Sequence, residues 1–240
     1  MIEQKPCKAQ NKAKSFQGCG TITDVKLRRF GLCPKCLYKW MKETEEGKKY
    51  YQSQFIPKVS AKIRKNEKEQ TKQKKIDLMS PDKYRKEYLQ PVINKIARLI
   101  DYGCSCIATD NYGKMNGGHY RSVGSNRTIA LNLHNIHIQS YESNVFRGGD
   151  DKNYKDGLID RYGLEYFEFV DSLRNHPVIK LTTKQMQEIY KKAKSICGDL
   201  EKNLVQLQPE QRILLRNQIN IELGIYKKQY STFKLLTEWR

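Results

Sequence analysis

The rhythm of apolar and polar positions changes several times along the chain. From Ser80-Pro81-Asp82 onward, Tyr84, Tyr88, Val92, Ile93, Ile96 and Leu99 recur at helical spacing and predict one buried helix face. Ser80 suits the cap of that helix and Pro81 its first position. Residues 101–128 turn to Gly, Asn, Ser and Thr, which predicts loops and short strands. The run TIALNLHNIHIQS, Thr128 to Ser140, alternates apolar and polar residues and reads as strand in part. Helical patterns return near Tyr154–Tyr162, in GLEYFEFVDSLRN, and from Thr182 onward, where Pro209 divides two helices. Upstream, KLRRFGLCPKCLYKWMKET reads as a strand, a knuckle turn and a short helix. Residues 46–80 have almost no apolar period. Eight Lys or Arg and two Glu between Lys58 and Lys75 make that stretch a solvated helix or a basic linker.

Composition narrows the class. Hydrophobic residues are 38% of 240 and mean hydropathy is -0.79, which argues for small modules over one large core. A net charge of +19 and a pI near 9.6 call for a polyanionic partner. Nucleic acid comes first and an anionic membrane surface second. No run of about 20 apolar residues is present to span a bilayer. The stretch MIEQKPCKAQNKAKS lacks the apolar core of a signal peptide, so a cytoplasmic protein is expected. Seven cysteines in that setting are metal ligands or free thiols rather than disulfides.

Four of them stand early. Cys33-Pro-Lys-Cys36 is a C-x-x-C turn, with Gly31 and Pro34 suited to a tight knuckle, and Cys7 and Cys19 supply two more thiols. Four thiolates suffice for a tetrahedral structural zinc, and binding would drive the folding of so short a segment.

The second candidate is MNGGHYRS. Gly117 and Gly118 let the backbone turn or approach a ligand closely before His119. HNIH, His134 to His137, follows, then RGGDD from Arg147 to Asp151. A compact ββα nuclease unit needs such parts: a histidine to activate water, an asparagine to pin the hairpin, and a carboxylate to hold a metal against the phosphate. His119 is the candidate base, with Asn135 and His137 beside it. Asp150 and Asp151 are candidate ligands for Mg²⁺ or Mn²⁺, and equally candidate caps of the next helix. Arg121, Arg127 and Arg147, with Lys62, Arg64 and Lys65 of the basic run, are candidate phosphate contacts. His134 reads as a surface residue and Cys197 as a half-buried helix residue. The Tyr and Leu stripe of 212–237 reads as core or a dimer seam.

GGHYRS, NIHIQ and YKDGLIDRYGLEYFEFVDSL, together with the leader GCGTITDVKLRRFGLCPKCLYKWMKETEEGKK, resemble the phage NinG (Rap) recombination proteins. The likeness covers most of residues 6–50 and 85–175. It implies an HNH-type, metal-dependent ββα site acting on branched recombination intermediates. The family histidine falls on His119, its Asn-Ile-His on Asn135 to His137, and its helix segment on Ile159 to Glu165. The resemblance also implies a second pair of C-x-x-C knuckles around these strands. Here the first is Cys104-Ser-Cys106, and the second is Ser140-Tyr-Glu-Ser143, with serine, a poor zinc ligand, at both thiol positions. Val145-Phe146-Arg147 stands where a further ligand is usual, and Asn116 where a carboxylate would flank the histidine.

The expected fold is α+β. A small zinc knuckle spans 1–45, a basic helical linker 46–80, an HNH-like ββα unit 81–175, and a helical region 176–240. The expected function is a recombination endonuclease cutting branched or junction DNA by metal-dependent phosphodiester hydrolysis, for which a homodimer would suit a junction. The alternatives are a DNA-binding recombination accessory protein with weak catalysis and an RNA-binding zinc-ribbon protein.

Overall fold

Cys33 and Thr44 set the first helices. The Cys33 side chain accepts from the Cys36 amide, and Pro34 takes the first position of α1 (Pro34–Glu43). Thr44 ends α1 and caps α2 (Glu45–Tyr50), its Oγ1 accepting from the Gly47 amide at 3.0 Å. A π-helical turn leads into α3 (Ile56–Asp77), which carries the basic run and buries no side chain. Upstream, β1 (Gln4–Pro6) pairs antiparallel with β2 (Ile22–Asp24). The strand expected just before the knuckle is instead a 3₁₀ turn at Val25–Leu27 followed by a single bridge from Arg29 to Leu32. The cause is local: Asp24 accepts from the Lys26 amide and closes the turn.

The computed structural model describes residues 3–146 and 148–235, so Arg147 and the end of the 212–237 stripe lie outside the described residues. The chain divides between Lys75 and Ile76 into two compact units. The first has a small core of Leu32, Trp40, Met41 and Tyr50 gathered beside Cys7, Cys33 and Cys36.

In the second unit Ser80 caps α4 (Pro81–Tyr84), as its position predicts, and a π-helical turn carries the chain into α5 (Gln90–Ile100). β3 (Met115–His119) and β4 (Ile136–Ser140) form an antiparallel pair in which Gly118 faces His137 and His119 faces Ile136. The rest of the alternating run, Thr128 to Asn135, is mostly turns rather than strand, because Asn126 and Asn132 accept from amides two residues on. Then come α6 (Asp151–Tyr162), α7 (Leu164–Ser172), α8 (Thr183–Lys202), α9 (Pro209–Leu223) and the short α10 (Lys228–Ser231). Pro209 opens α9 and Gly224, in the left-handed region, ends it.

The hairpin is covered on both faces. Ile136 joins a core made by Ile93, Ile96 and Ile100 of α5 with Met186 and Ala193 of α8 and Leu223 of α9. On the other face Tyr154 and Leu158 of α6 pack with Tyr166 and Val170 of α7. The composition argued against so large a core. Buried, hydrogen-bonded polar groups let it form from few apolar residues.

Helix α6 is seated by Gly157. A β-carbon there would lie 1.6 Å from the Ile107 carbonyl oxygen, a backbone atom that cannot swing aside. Gly157→Ala should therefore lose about 3 kcal/mol by overpacking, against the gain of about 1 kcal/mol that alanine brings to a helix interior. Urea denaturation checks the sign, and a stabilised variant would refute the close seating.

Candidate functional site

The knuckle brings Cys7, Cys19, Cys33 and Cys36 together as expected, with their Sγ atoms all within 4.8 Å of one another. The Cys33 amide donates to Cys7 Sγ at 3.2 Å and the Cys36 amide to Cys33 Sγ at 3.5 Å, so backbone dipoles favour thiolates. Gly31 is required here. Its φ is +77°, and a β-carbon would lie 2.0 Å from the Lys8 carbonyl oxygen. The Thr21 hydroxyl beside Cys19 holds that thiol down to about 6, whereas burial first, then Cys19, pushes Cys36 up to about 12. Four sulfurs in this geometry fit a structural zinc.

The hairpin site is built around a loop pinned by Asn135. Its Oδ1 accepts from the Arg121 amide at 2.9 Å and its Nδ2 donates to the Arg121 carbonyl at 3.0 Å. The Tyr120 amide donates to the Asn135 carbonyl at 2.9 Å. His119, at the end of β3, is thereby set against α5. Its Nε2 lies 3.0 Å from the Ala130 carbonyl oxygen and 3.1 Å from Gln90 Nε2. Because a carbonyl only accepts, Nε2–H is the donor in that contact, which leaves the lone pair on Nδ1. Burial, opposed by the Ala130 carbonyl and joined by the Arg85 charge, lowers the His119 pKa below its ordinary value.

His137 lies on the opposite face, under α6. The Tyr154 hydroxyl accepts from the His137 amide at 3.0 Å and donates to the Gly118 carbonyl at 3.0 Å, tying α6 to both strands. His137 is fully buried, and its pKa falls well below normal through burial first and then the Arg216 charge. His134 is not at the surface as expected. It is fully buried, with Nδ1 3.0 Å from the Tyr166 hydroxyl and Nε2 3.1 Å from the Ser231 carbonyl oxygen, and burial takes its pKa down to about 3. Beneath both rings runs a buried ion pair that the sequence did not announce. Arg216 Nη2 donates to both Asp101 oxygens, at 2.8 and 2.7 Å. Asp101 also accepts from the Ile138 amide and the Tyr162 hydroxyl. The signal available was Arg212 and Arg216, four apart on the face of α9 that carries Ile213 and Ile219.

Asp150 and Asp151 stand where α6 begins, but the structure does not gather them around His119. Asp150 accepts from Asn153 at 2.8 Å and lies 3.4 Å from the Ser143 hydroxyl. It holds the N-cap position in the left-handed region and makes no side-chain cap bond. Among the described residues, the groups of three or more His, Cys, Asp or Glu placed to share a metal reduce to the four cysteines. The side chains present therefore do not assemble a ligand set for Mg²⁺ or Mn²⁺ at His119.

Around Cys106 a similar hydrogen-bond pattern recurs. The Ser140 amide donates to Cys106 Sγ at 3.2 Å and the Ser143 amide to Ser140 Oγ at 3.2 Å, repeating the pattern of Cys7, Cys33 and Cys36 with serine in the thiol positions. Gln139 donates to the Ser143 hydroxyl at 3.1 Å, and Cys104 accepts instead from Arg212 at 2.8 Å.

Of the expected phosphate contacts, Arg121 pairs with Asp171, while Arg127 is mostly exposed and pairs with Asp82 at 2.8 Å. Lys62, Arg64 and Lys65 are exposed on α3. No helix among the described residues is long and apolar enough to cross a membrane. Cys197 is buried.

Residues 7–203 match the family model described as bacteriophage lambda NinG protein. No curated protein and no solved structure matches the chain.

Proposed function

Because the chain belongs to the bacteriophage lambda NinG family, whose membership implies a recombination-related role, we propose that it binds branched DNA and cuts it by phosphodiester hydrolysis at the ββα unit. The observation that supports this most is the state of His119. Its Nε2 is anchored to a backbone carbonyl at the end of β3, and Nδ1 keeps its lone pair; the described residues give Nδ1 no hydrogen bond. That is the arrangement a general base needs to take a proton from water. Asn135 is the positioning residue, since it fixes the loop whose Ala130 carbonyl holds the ring. A divalent ion supplies charge stabilisation in HNH-type chemistry. Asp150 and Asp151 do not form a ligand set for such an ion with His119 among the described residues. The net charge of +19 supports a strongly salt-dependent association with DNA. Recognition by shape is favoured over base sequence, because lysine and arginine contacts to phosphate position a duplex without reading its bases. A homodimer would suit a four-way junction.

A second reading is favoured by that same missing ligand set. In it the ββα unit is a rigid DNA-binding shape and cleavage is weak. Incubating labelled branched DNA and matched linear duplex with the protein in Mg²⁺ or Mn²⁺ separates the two. Nicking near the branch supports hydrolysis; tight, salt-sensitive binding with intact strands supports the second.

The lowered His119 pKa predicts the pH profile. The neutral ring is the active form, so cleavage should stay level from pH 8 to below the ordinary imidazole value of about 6.5, then fall at lower pH. Arg85→Gln removes one of the causes and should move the inflection upward. An unmoved inflection at or above that value would assign the titration elsewhere.

A further inference from the structure

The strip Thr128–Leu131 has His119 against its Ala130 carbonyl. The same strip lines a cavity of about 490 Å³, within the range of small-ligand sites. The wall and floor are of two kinds. Leu131, Met186, Ile225 and Tyr226 give an apolar base, and Arg85, Arg127 and Lys180 bring three cations against one carboxylate, Asp82. The floor is fixed rather than collapsible: the Tyr226 hydroxyl donates to the Thr128 carbonyl at 2.9 Å and accepts from the Leu131 amide at 3.2 Å. Arg127 is taken up by Asp82, but Arg85 forms no ion pair among the described residues; its Nη1 reaches Gln90 at 3.5 Å. Gln90 in turn donates to the Ala130 carbonyl at 2.8 Å and touches His119. An apolar lining with two arginines and a lysine beside it suits a base joined to a phosphate.

We propose that this cavity takes one unpaired nucleotide of a branched DNA, its base on the floor and a flanking phosphate on Arg85, Arg127 and Lys180. The inference rests on the reading that the chain acts on DNA, and it adds how a branch is told from a duplex. A branch offers an unstacked base at little cost, whereas a duplex must first be opened.

The test uses the full chain and a forked DNA carrying 2-aminopurine at its first unpaired position, with a linear duplex as control. Val178 lines the cavity and is 77% exposed, so Val178→Trp can fill the mouth without disturbing the core. The wild type should change 2-aminopurine fluorescence. Val178→Trp and Arg127→Gln should each bind the fork about tenfold more weakly, the size expected for one stacked base, and Val178→Trp should bind the duplex unchanged. Free dAMP should compete weakly and inorganic phosphate more weakly still. Unchanged fork affinity and fluorescence in both variants would overturn the pocket while leaving DNA binding intact. Phosphate competing as well as dAMP would overturn the base contact, and dAMP binding as tightly as the fork would overturn the DNA assignment. A wild type that binds neither DNA would overturn the parent reading itself.

Discussion

Withdrawing zinc should unfold the first unit. The protein as purified should carry one zinc per chain, and a chelator strong enough to take it should abolish the structure of residues 7–50. The expectation follows from geometry and from size. Zinc–thiolate bonds of about 2.3 Å in a tetrahedron put neighbouring sulfurs about 3.8 Å apart. Cys19 and Cys33 already stand at 3.8 Å, and all four sulfurs lie within 4.8 Å. The core around them is a handful of side chains on Leu32, Trp40, Met41 and Tyr50. Cores of that size seldom hold a fold without a staple. Apparent zinc-binding energies of about 10–16 kcal/mol far exceed what such a core supplies, so folding and binding are one event. Cys33→Ala should be the most damaging single change, since it removes a thiolate and also the acceptor that takes the Cys36 amide and caps α1. Far-ultraviolet circular dichroism during chelation, with colorimetric zinc release, measures it. Full retention of the signal after zinc has left would refute a structural metal.

Asp101→Ala should cost about 3–5 kcal/mol, since it strands a buried charge. Arg216 is fully buried, and its charge is met by the Asp101 carboxylate through two contacts at 2.8 and 2.7 Å. The same carboxylate accepts from the Ile138 amide at 2.9 Å, so β4, α9 and the end of α5 meet at one side chain. Arg216 Nη1 is already buried without a hydrogen-bond partner, which leaves no reserve. A double variant, Asp101→Ala with Arg216→Met, removes both charges and should recover a large part of the loss. Denaturation midpoints of the three variants decide it. A double variant no more stable than Asp101→Ala would mean that packing, rather than the stranded charge, carries the effect.

These two centres also show what a sequence discloses. The cysteine site is legible because its chemistry is local: a C-x-x-C turn with Gly31 before it has few other uses. Ser80 and Pro81 announce α4 in the same local way, and Pro209 announces α9. The hairpin is legible from GGHY and the alternation after Asn135. The burial of His134 is not. Every residue from Ile129 to Gln139 is buried, because helices cover both faces of the hairpin, and a period of two cannot show that. Asp101 and Arg216 are 115 positions apart, and only the packing of α5 against α9 brings them together. The orientation of His119 toward α5, away from α6, depends on strand register, where a slip of one residue reverses the face. The hydrogen bonds that join Ser140 to Cys106 and Ser143 to Ser140 are likewise hidden, because they run through backbone amides that the residue types do not announce.

The most direct test of the account is cleavage of labelled branched DNA by the wild type beside His119→Ala, in Mg²⁺ and in Mn²⁺, with binding measured on the same samples. The wild type should cut near the branch, and His119→Ala should cut about 10²–10⁴-fold more slowly while binding equally well, the range expected for loss of a general base. Equal cleavage by both proteins, or binding by both with no cleavage by either, would contradict the role given to His119.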